Sequence, residues 1–282
     1  MSRSLFLALM TLLALGVYPV VALGENPLTI IVMDPMALEL SCPCVKGYAQ
    51  RDYSKLASHL EKQLNRPVKL HFADNLATAL RVKTEGKADL IIGKHSVVLA
   101  GAKVNKFDVT EIAALTDKEG KTTQTGLWVV PAADPALTVA DLKDHGLVFG
   151  LADADEKHAA AIALLKDFDI PIPRKLESCG SCSDAAKQIL DSASAGRKSA
   201  AVISSYAQPL LEGCGTIKKG DLRVVGETEP VPFVAAFVSQ KVPADQCKAI
   251  QSCLLSLARD AQWCRILETK RGFVLPETAK KK

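Results

Sequence analysis

Four of the eight cysteines in this 282-residue chain come in two tight pairs, and those pairs are where chemistry could concentrate. Ser41-Cys42-Pro43-Cys44 holds one and Glu177-Ser178-Cys179-Gly180-Ser181-Cys182-Ser183 the other. A short extended run from Pro173 to Leu176 precedes the second pair, and Ala185 to Ala193 after it reads as a helix. The second pair therefore falls where a strand turns into a helix. Unpaired amides and the positive dipole end of a helix's first turn favour thiolate over thiol there. Four thiolates drawn together from Cys42, Cys44, Cys179 and Cys182 would form a soft donor set, suited to a Cu, Zn, Cd or Hg ion and not to Mg or Ca. Met36 beside the first pair, His95 after Gly93-Lys94, and His158 after Asp153-Ala154-Asp155-Glu156-Lys157 are further candidate contacts for such an ion or its complex. The same cysteines allow structural disulfides, the usual use in an exported protein, or thiol–disulfide exchange, which also uses a strand–CxxC–helix turn. On the residues alone all three readings stand.

The elements that would position these groups begin after a targeting segment. Arg3 followed by the apolar run Leu5 to Val17, with Ala22-Leu23-Gly24 at its end, predicts a signal peptide over residues 1–24, cleaved near Gly24. Tyr18-Pro19 interrupts the run and argues against a membrane anchor. The formal charge of +4 is small and the Lys280-Lys281-Lys282 tail contributes most of it, so nucleic acid is not expected as a partner. The remaining cysteines, Cys214, Cys247, Cys253 and Cys264, lie apart from the pairs. Neither a serine elbow nor an HExxH pattern is present, and no enzymatic activity is expected.

Short β-branched runs alternate with helical spacing along the rest of the chain. Pro27 to Met33 predicts a strand, Asp52 to Leu64 a helix through Tyr53, Leu56, Ala57 and Leu60, and Val68 to Phe72 a second strand. A helix over Leu76 to Glu85 and a strand over Ala88 to Ile92 follow. The alternation restarts with Leu127 to Val130, then Leu147 to Gly150, a helix over Asp155 to Asp167, Lys175 to Ser178, a helix over Ser183 to Ala195, and Ala200 to Ile203. Thr138 is placed to cap a short helix holding Ala140, Asp141 and Leu142. Phe233 to Val238 is a late apolar strand, with two helices after Pro243. This predicts an α/β protein of two lobes, each a mainly parallel sheet flanked by helices.

The run Asp52-Tyr53-Ser54-Lys55-Leu56, then Pro67-Val68, Gly86-Lys87-Ala88-Asp89-Leu90 and Ser96-Val97-Val98-Leu99-Ala100 resembles the phosphonate-type periplasmic solute-binding proteins of ABC importers. Leu137-Thr138-Val139-Ala140-Asp141-Leu142-Lys143 and Pro230-Val231-Pro232-Phe233 extend the resemblance over nearly the whole chain. It implies the periplasmic-binding-protein fold, with two crossovers joining lobe 1 (25–130 plus 230–282) to lobe 2 (131–229), and hinge closure on a small ligand. It also implies a membrane permease as partner for a monomeric periplasmic receptor. Met36, Tyr48, Lys94, His95, Asp155, His158, Ser181 and Ser183 would then line the cleft with the paired cysteines. The sequence departs from the family at Gly150 to His158, where carboxylates stand in place of a Ser/Thr-rich turn. Those carboxylates would repel an oxyanion, which puts a soft metal ion ahead of phosphate or phosphonate as the expected ligand.

Overall fold

The structure, a computed structural model, describes residues 26–41 and 50–276. The expected signal segment and the residues Cys42, Cys44 and Tyr48 lie outside that range.

Strand β1 (Leu28–Met33) is buried along its whole length, as an aliphatic run flanked on both sides by other strands must be. Helix α1 (Tyr53–Leu64) starts where the Asp52 carboxylate accepts from the Lys55 amide at 3.0 Å, and it buries Tyr53, Leu56, Ala57 and Leu60. Strand β2 (Val68–Phe72), helix α2 (Leu76–Thr78, continuing as a π-turn over Ala79–Lys83), β3 (Leu90–Lys94), α3 (His95–Val104) and β4 (Val109–Leu115) complete the first run. Next comes β5 (Thr123–Gln124), then β6 (Gly126–Pro131), a 3-10 turn at Val139–Asp144, β7 (Gly146–Gly150) and a second 3-10 turn at Asp155–Lys157. Helix α4 (Ala159–Asp167), β8 (Glu177–Cys179), α5 (Cys182–Ser194), β9 (Ser199–Ser204), α6 (Ala207–Gly213) and β10 (Leu222–Glu227) follow. The chain returns through β11 (Val231–Pro232), β12 (Val234–Ser239), α7 (Ala244–Ser256), α8 (Ala261–Ile266) and β13 (Phe273–Val274).

These strands form two lobes. The first sheet has six strands in the order β13-β4-β12-β3-β1-β2, and the second has five in the order β10-β6-β9-β7-β8. Apolar clusters cover both faces of each sheet. The two crossovers meet as a ribbon of their own, β5 pairing antiparallel with β11 through Gln124 and Val231.

Both sheets are mainly parallel, as expected. In the first, β1, β2, β3 and β4 run one way, and β12 and β13 oppose them. In the second, β7, β8, β9 and β10 run together and β6 opposes them. Strands β6 and β12 follow the crossovers and arrive from the opposite direction to the βα units. Two readings of the sequence need correction here. β6 sits in the second sheet, so the first crossover lies at β5 and not at residue 130. The helix read over Asp155 to Asp167 is also interrupted. Residues Asp155–Lys157 wind as a 3-10 turn, His158 leaves helical geometry at φ −127° and ψ −81°, and α4 begins after it.

Candidate functional site

The C-terminal ends of β1, β3, β7, β8 and β9 converge between the lobes, the side of an open α/β sheet where ligands bind. There they enclose a cavity of about 410 Å³, into which Lys94 comes from the first lobe and Lys157, Ser181, Cys182, Ser183 and Tyr206 from the second.

At this boundary the lobes are tied by an ion pair and by hydroxyl contacts. Lys94 at the end of β3 pairs through its Nζ with Glu156 Oε1 of the 3-10 turn, and Ser204 at the end of β9 donates to the same oxygen at 2.6 Å. Glu156 is fully buried. One residue into α3, Ser96 Oγ donates to the Asp153 carbonyl at 2.7 Å and accepts from the Asp155 amide at 3.3 Å. Burial pulls the Lys94 ammonium below its ordinary pKa, and the Glu156 carboxylate opposes that pull.

Lys157 differs from Lys94. It is 7% exposed and lines the cavity, yet the ion pairs of the described residues leave it without a carboxylate. Its stem lies over Gly150 at the end of β7, where a Cβ would sit 2.4 Å from Lys157 Cβ and 3.0 Å from Cε. Glycine there is what lets this side chain lie flat in the cleft wall. Gly150 is the direct neighbour of Cys179 in β8, so Lys157 runs toward the start of α5. That helix is 13 residues long and is capped by Ser181, whose Oγ accepts from the Asp184 amide at 3.0 Å. Among the described residues the Cys182 and Ser183 amides have no acceptor of their own, the usual state of a helix's first turn. A buried cation beside the positive end of a helix, with a serine hydroxyl on each side, is a place for an anion.

The other expected site residues scatter. Cys179 Sγ donates to Gln188 Oε1 at 3.0 Å, while Cys182 Sγ turns to Ser204 Oγ at 3.7 Å. Burial, with Asp184 and Glu177 nearby, pushes the Cys179 thiol up, which reverses the expected thiolate. The six described cysteines are free, and no group of three metal-ligating side chains forms among the described residues. His95 Nε2 lies 3.5 Å from Glu111 and its ring packs on Phe237, inside the first lobe. His158 lies against Phe149, with Nδ1 3.1 Å from the Gly150 carbonyl. Cys182 lines the cavity, and neither histidine nor Cys179 joins it there. Asp155 is half-buried in the 3-10 turn, and Met36 packs on the first core beside a second cavity. Of the expected residues, then, Lys94, Ser181, Cys182 and Ser183 come together. Lys157 and Tyr206 were not singled out. Lys157 stands next to Glu156 in sequence, and its neighbours' negative charges hid its role.

A sequence profile of phosphonate periplasmic substrate-binding proteins of ABC transporters matches residues 47–279. The chain belongs to that family. Its members are binding proteins and not enzymes, which places this chain as a periplasmic receptor for a small ligand handed to a membrane permease. Solved structures agree on the fold. A binding protein component of an ABC phosphonate transporter from Pseudomonas aeruginosa superposes with a TM-score of 0.67 at 12% identity, over 89% of this chain and 82% of that one. PhnD1 from Prochlorococcus marinus, in complex with methylphosphonate, gives 0.66 at 15% identity over 91% and 96%. A Xanthomonas citri protein bound to ATP gives 0.65 at 14% identity over 91% and 94%. A search of curated protein sequences finds no match.

Proposed function

We propose that this periplasmic receptor, a monomer cleaved near Gly24, binds a ligand with a phosphonate- or phosphate-type anionic head and delivers it to an ABC permease. The observation that carries this reading is Lys157, buried, without a carboxylate partner, and beside the open first turn of α5. The carboxylates of the Asp153 to Glu156 turn weigh less against an oxyanion than their sequence suggests. Glu156 is spent on Lys94, and Asp155 is not part of the cavity wall. Exposed Asp74 and half-buried Asp153 do line the cavity, and they confine the anion to the corner made by Lys157, Ser181 and Ser183. The soft-metal reading loses support because the two described thiols face different partners and the Cys179 thiol is pushed away from thiolate. The methylphosphonate complex and the ATP complex among the similar folds are precedents for a phosphonate and for a phosphate ester with a large organic part.

Calorimetry of the purified mature chain with methylphosphonate and inorganic phosphate tests this directly. Micromolar binding of at least one is expected, weakened at least tenfold by Lys157→Met. The reading is sunk by no binding of either anion, or by tight uptake of one soft ion per chain with no anion binding.

A further inference from the structure

A second cavity, of about 970 Å³, lies on the hinge side of the cleft. Tyr206 and Leu210 line both cavities, so the two are compartments of one cleft. Three features of the larger compartment are unexplained by the anion site. First, Gln124 of the crossover strand β5 lines it and is 5% exposed, and neither its amide nitrogen nor its amide oxygen has a hydrogen-bond partner. Secondly, Glu268 lines it with Oε2 buried and unpartnered, on a backbone held in the left-handed region at φ 50°. Thirdly, its aromatic wall is already assembled. The Tyr206 and Phe233 rings stack at 5.2 Å and 24°, and the Arg51 guanidinium lies 5.4 Å from the Phe233 centroid.

A buried amide that makes none of its hydrogen bonds is costly to the fold, and partners absent from the chain have to come from outside it. An anion is the wrong partner here. Arg51, the buried cation of this compartment, is committed to Asp34 Oδ2 at 2.8 Å and to the Leu267 carbonyl at 3.2 Å, Lys118 is engaged by Glu268 Oε1 at 3.5 Å, and Asp117, Glu119 and Glu227 outweigh Lys121 on the wall. A glutamine amide presents a donor and an acceptor side by side and matches a planar edge carrying the complementary pair. Flat groups of that kind also lie well against an aromatic wall.

We infer that the hinge compartment holds the organic part of the ligand, and that this part is a planar group with an amide-like edge, such as a nucleobase or an aromatic carboxamide. The inference rests on the anion reading for the head group, which stays in the smaller compartment at Lys157. The substrate class is then a phosphate or phosphonate carrying a flat polar group, and small alkylphosphonates are minimal ligands.

Calorimetry on the full mature chain with three probes tests this: methylphosphonate, ribose 5-phosphate and uridine 5′-monophosphate. The uracil-bearing probe is expected to bind at least tenfold more tightly than ribose 5-phosphate, and N3-methylation of the base should remove that advantage. Gln124→Leu should bring the two sugar phosphates within about twofold of each other and leave methylphosphonate binding unchanged. Equal binding of the two sugar phosphates by the wild-type chain overturns the inference, as does an advantage that survives both N3-methylation and Gln124→Leu. The wild-type ratio and the N3-methyl probe decide the matter even if the variant does not fold. If no anion binds, the anion reading has failed by itself. Uridine then decides the compartment: Gln124-dependent binding upholds it and no binding overturns it.

Discussion

At the residue scale the paired cysteines teach the most. Their spacing was visible, and so was the strand–helix turn that carries them. The directions of their side chains were not, because direction depends on what β9 and α5 put beside each sulfur. Cys182 meets Ser204 on β9 and Cys179 meets Gln188 two turns along α5. Position near a helix start lowers a thiol's pKa only if burial and nearby carboxylates do not outweigh it, and here they do. The sign follows. A thiol raised above its ordinary value holds less thiolate at pH 8 than a free cysteine does. Cys179 should therefore react with iodoacetamide more slowly than free cysteine at pH 8, its rate still climbing above pH 9. Peptide mapping across a pH series measures this, and a rate already at its plateau by pH 8 contradicts it. The buried triad of Asp34, Arg51 and Tyr53 was equally hidden, since its members are 17 and 2 residues apart in no recognisable motif. Asp34 Oδ2 accepts from Arg51 at 2.8 Å and from the Tyr53 hydroxyl at 2.5 Å, fixing the end of β1 to the start of α1. Asp34→Ala leaves the fully buried guanidinium uncompensated and should cost about 3–5 kcal/mol in urea denaturation.

At the scale of elements, periodicity and punctuation predicted most of what formed. Aliphatic runs gave β1, β3, β9 and β12, and α1 buries the face its spacing predicted. Thr138 sits where its spacing placed it, its amide donating to Asp141 Oδ2 at 2.8 Å ahead of a 3-10 turn. Strand β4 escaped notice because the polar pair Thr110-Glu111 interrupts its apolar run and only its second half is buried. The break at His158 is also invisible in the alternation of residues. It arises because the turn before it must aim Glu156 across the cleft and lay Lys157 along Gly150. Glycine at the hinge-side end of β6 serves the same turn. A Cβ on Gly126 would come within 2.0 Å of the Glu156 carbonyl and 3.0 Å of Val202. Backbone cannot step aside as a side-chain tip can. Gly126→Ala should cost about 2–3 kcal/mol in a denaturation series and weaken ligand binding with it, because it displaces Glu156, which pairs with Lys94 across the cleft. Gly146→Ala, whose Cβ would meet only ordinary contacts at 3.7 Å and beyond and which lines neither compartment of the cleft, is the control expected to change neither.

For the molecule as a whole, the contact of Lys94 with Glu156 bears on how far the lobes stay shut without ligand. Buried ion pairs contribute little net stability, but losing one partner strands the other charge. Lys94→Met should favour a parted arrangement in which Glu156 regains water. Small-angle scattering is expected to show a larger radius of gyration for the unliganded variant than for the unliganded wild-type chain. Ligand affinity should fall in proportion to the lost closed fraction, about tenfold if that fraction drops from nine-tenths to one-tenth. An unchanged scattering profile would show that the ribbon of β5 and β11 holds the lobes and that the ion pair only follows.

The position of β12 has a consequence for how the chain is made. It lies between β3 and β4, so the first sheet has a gap at its centre until residues 234–239 are present. The second sheet draws all its strands from the unbroken stretch Gly126–Glu227. A chain that crosses a membrane with its N-terminus leading delivers the second lobe complete while the first is still missing its central strand. The lobe that comes first in sequence must finish last, with the edges of β3 and β4 open to wrong partners in the interval. Pulse-labelled hydrogen exchange during refolding should find β6, β7 and β9 protected before β3 and β4.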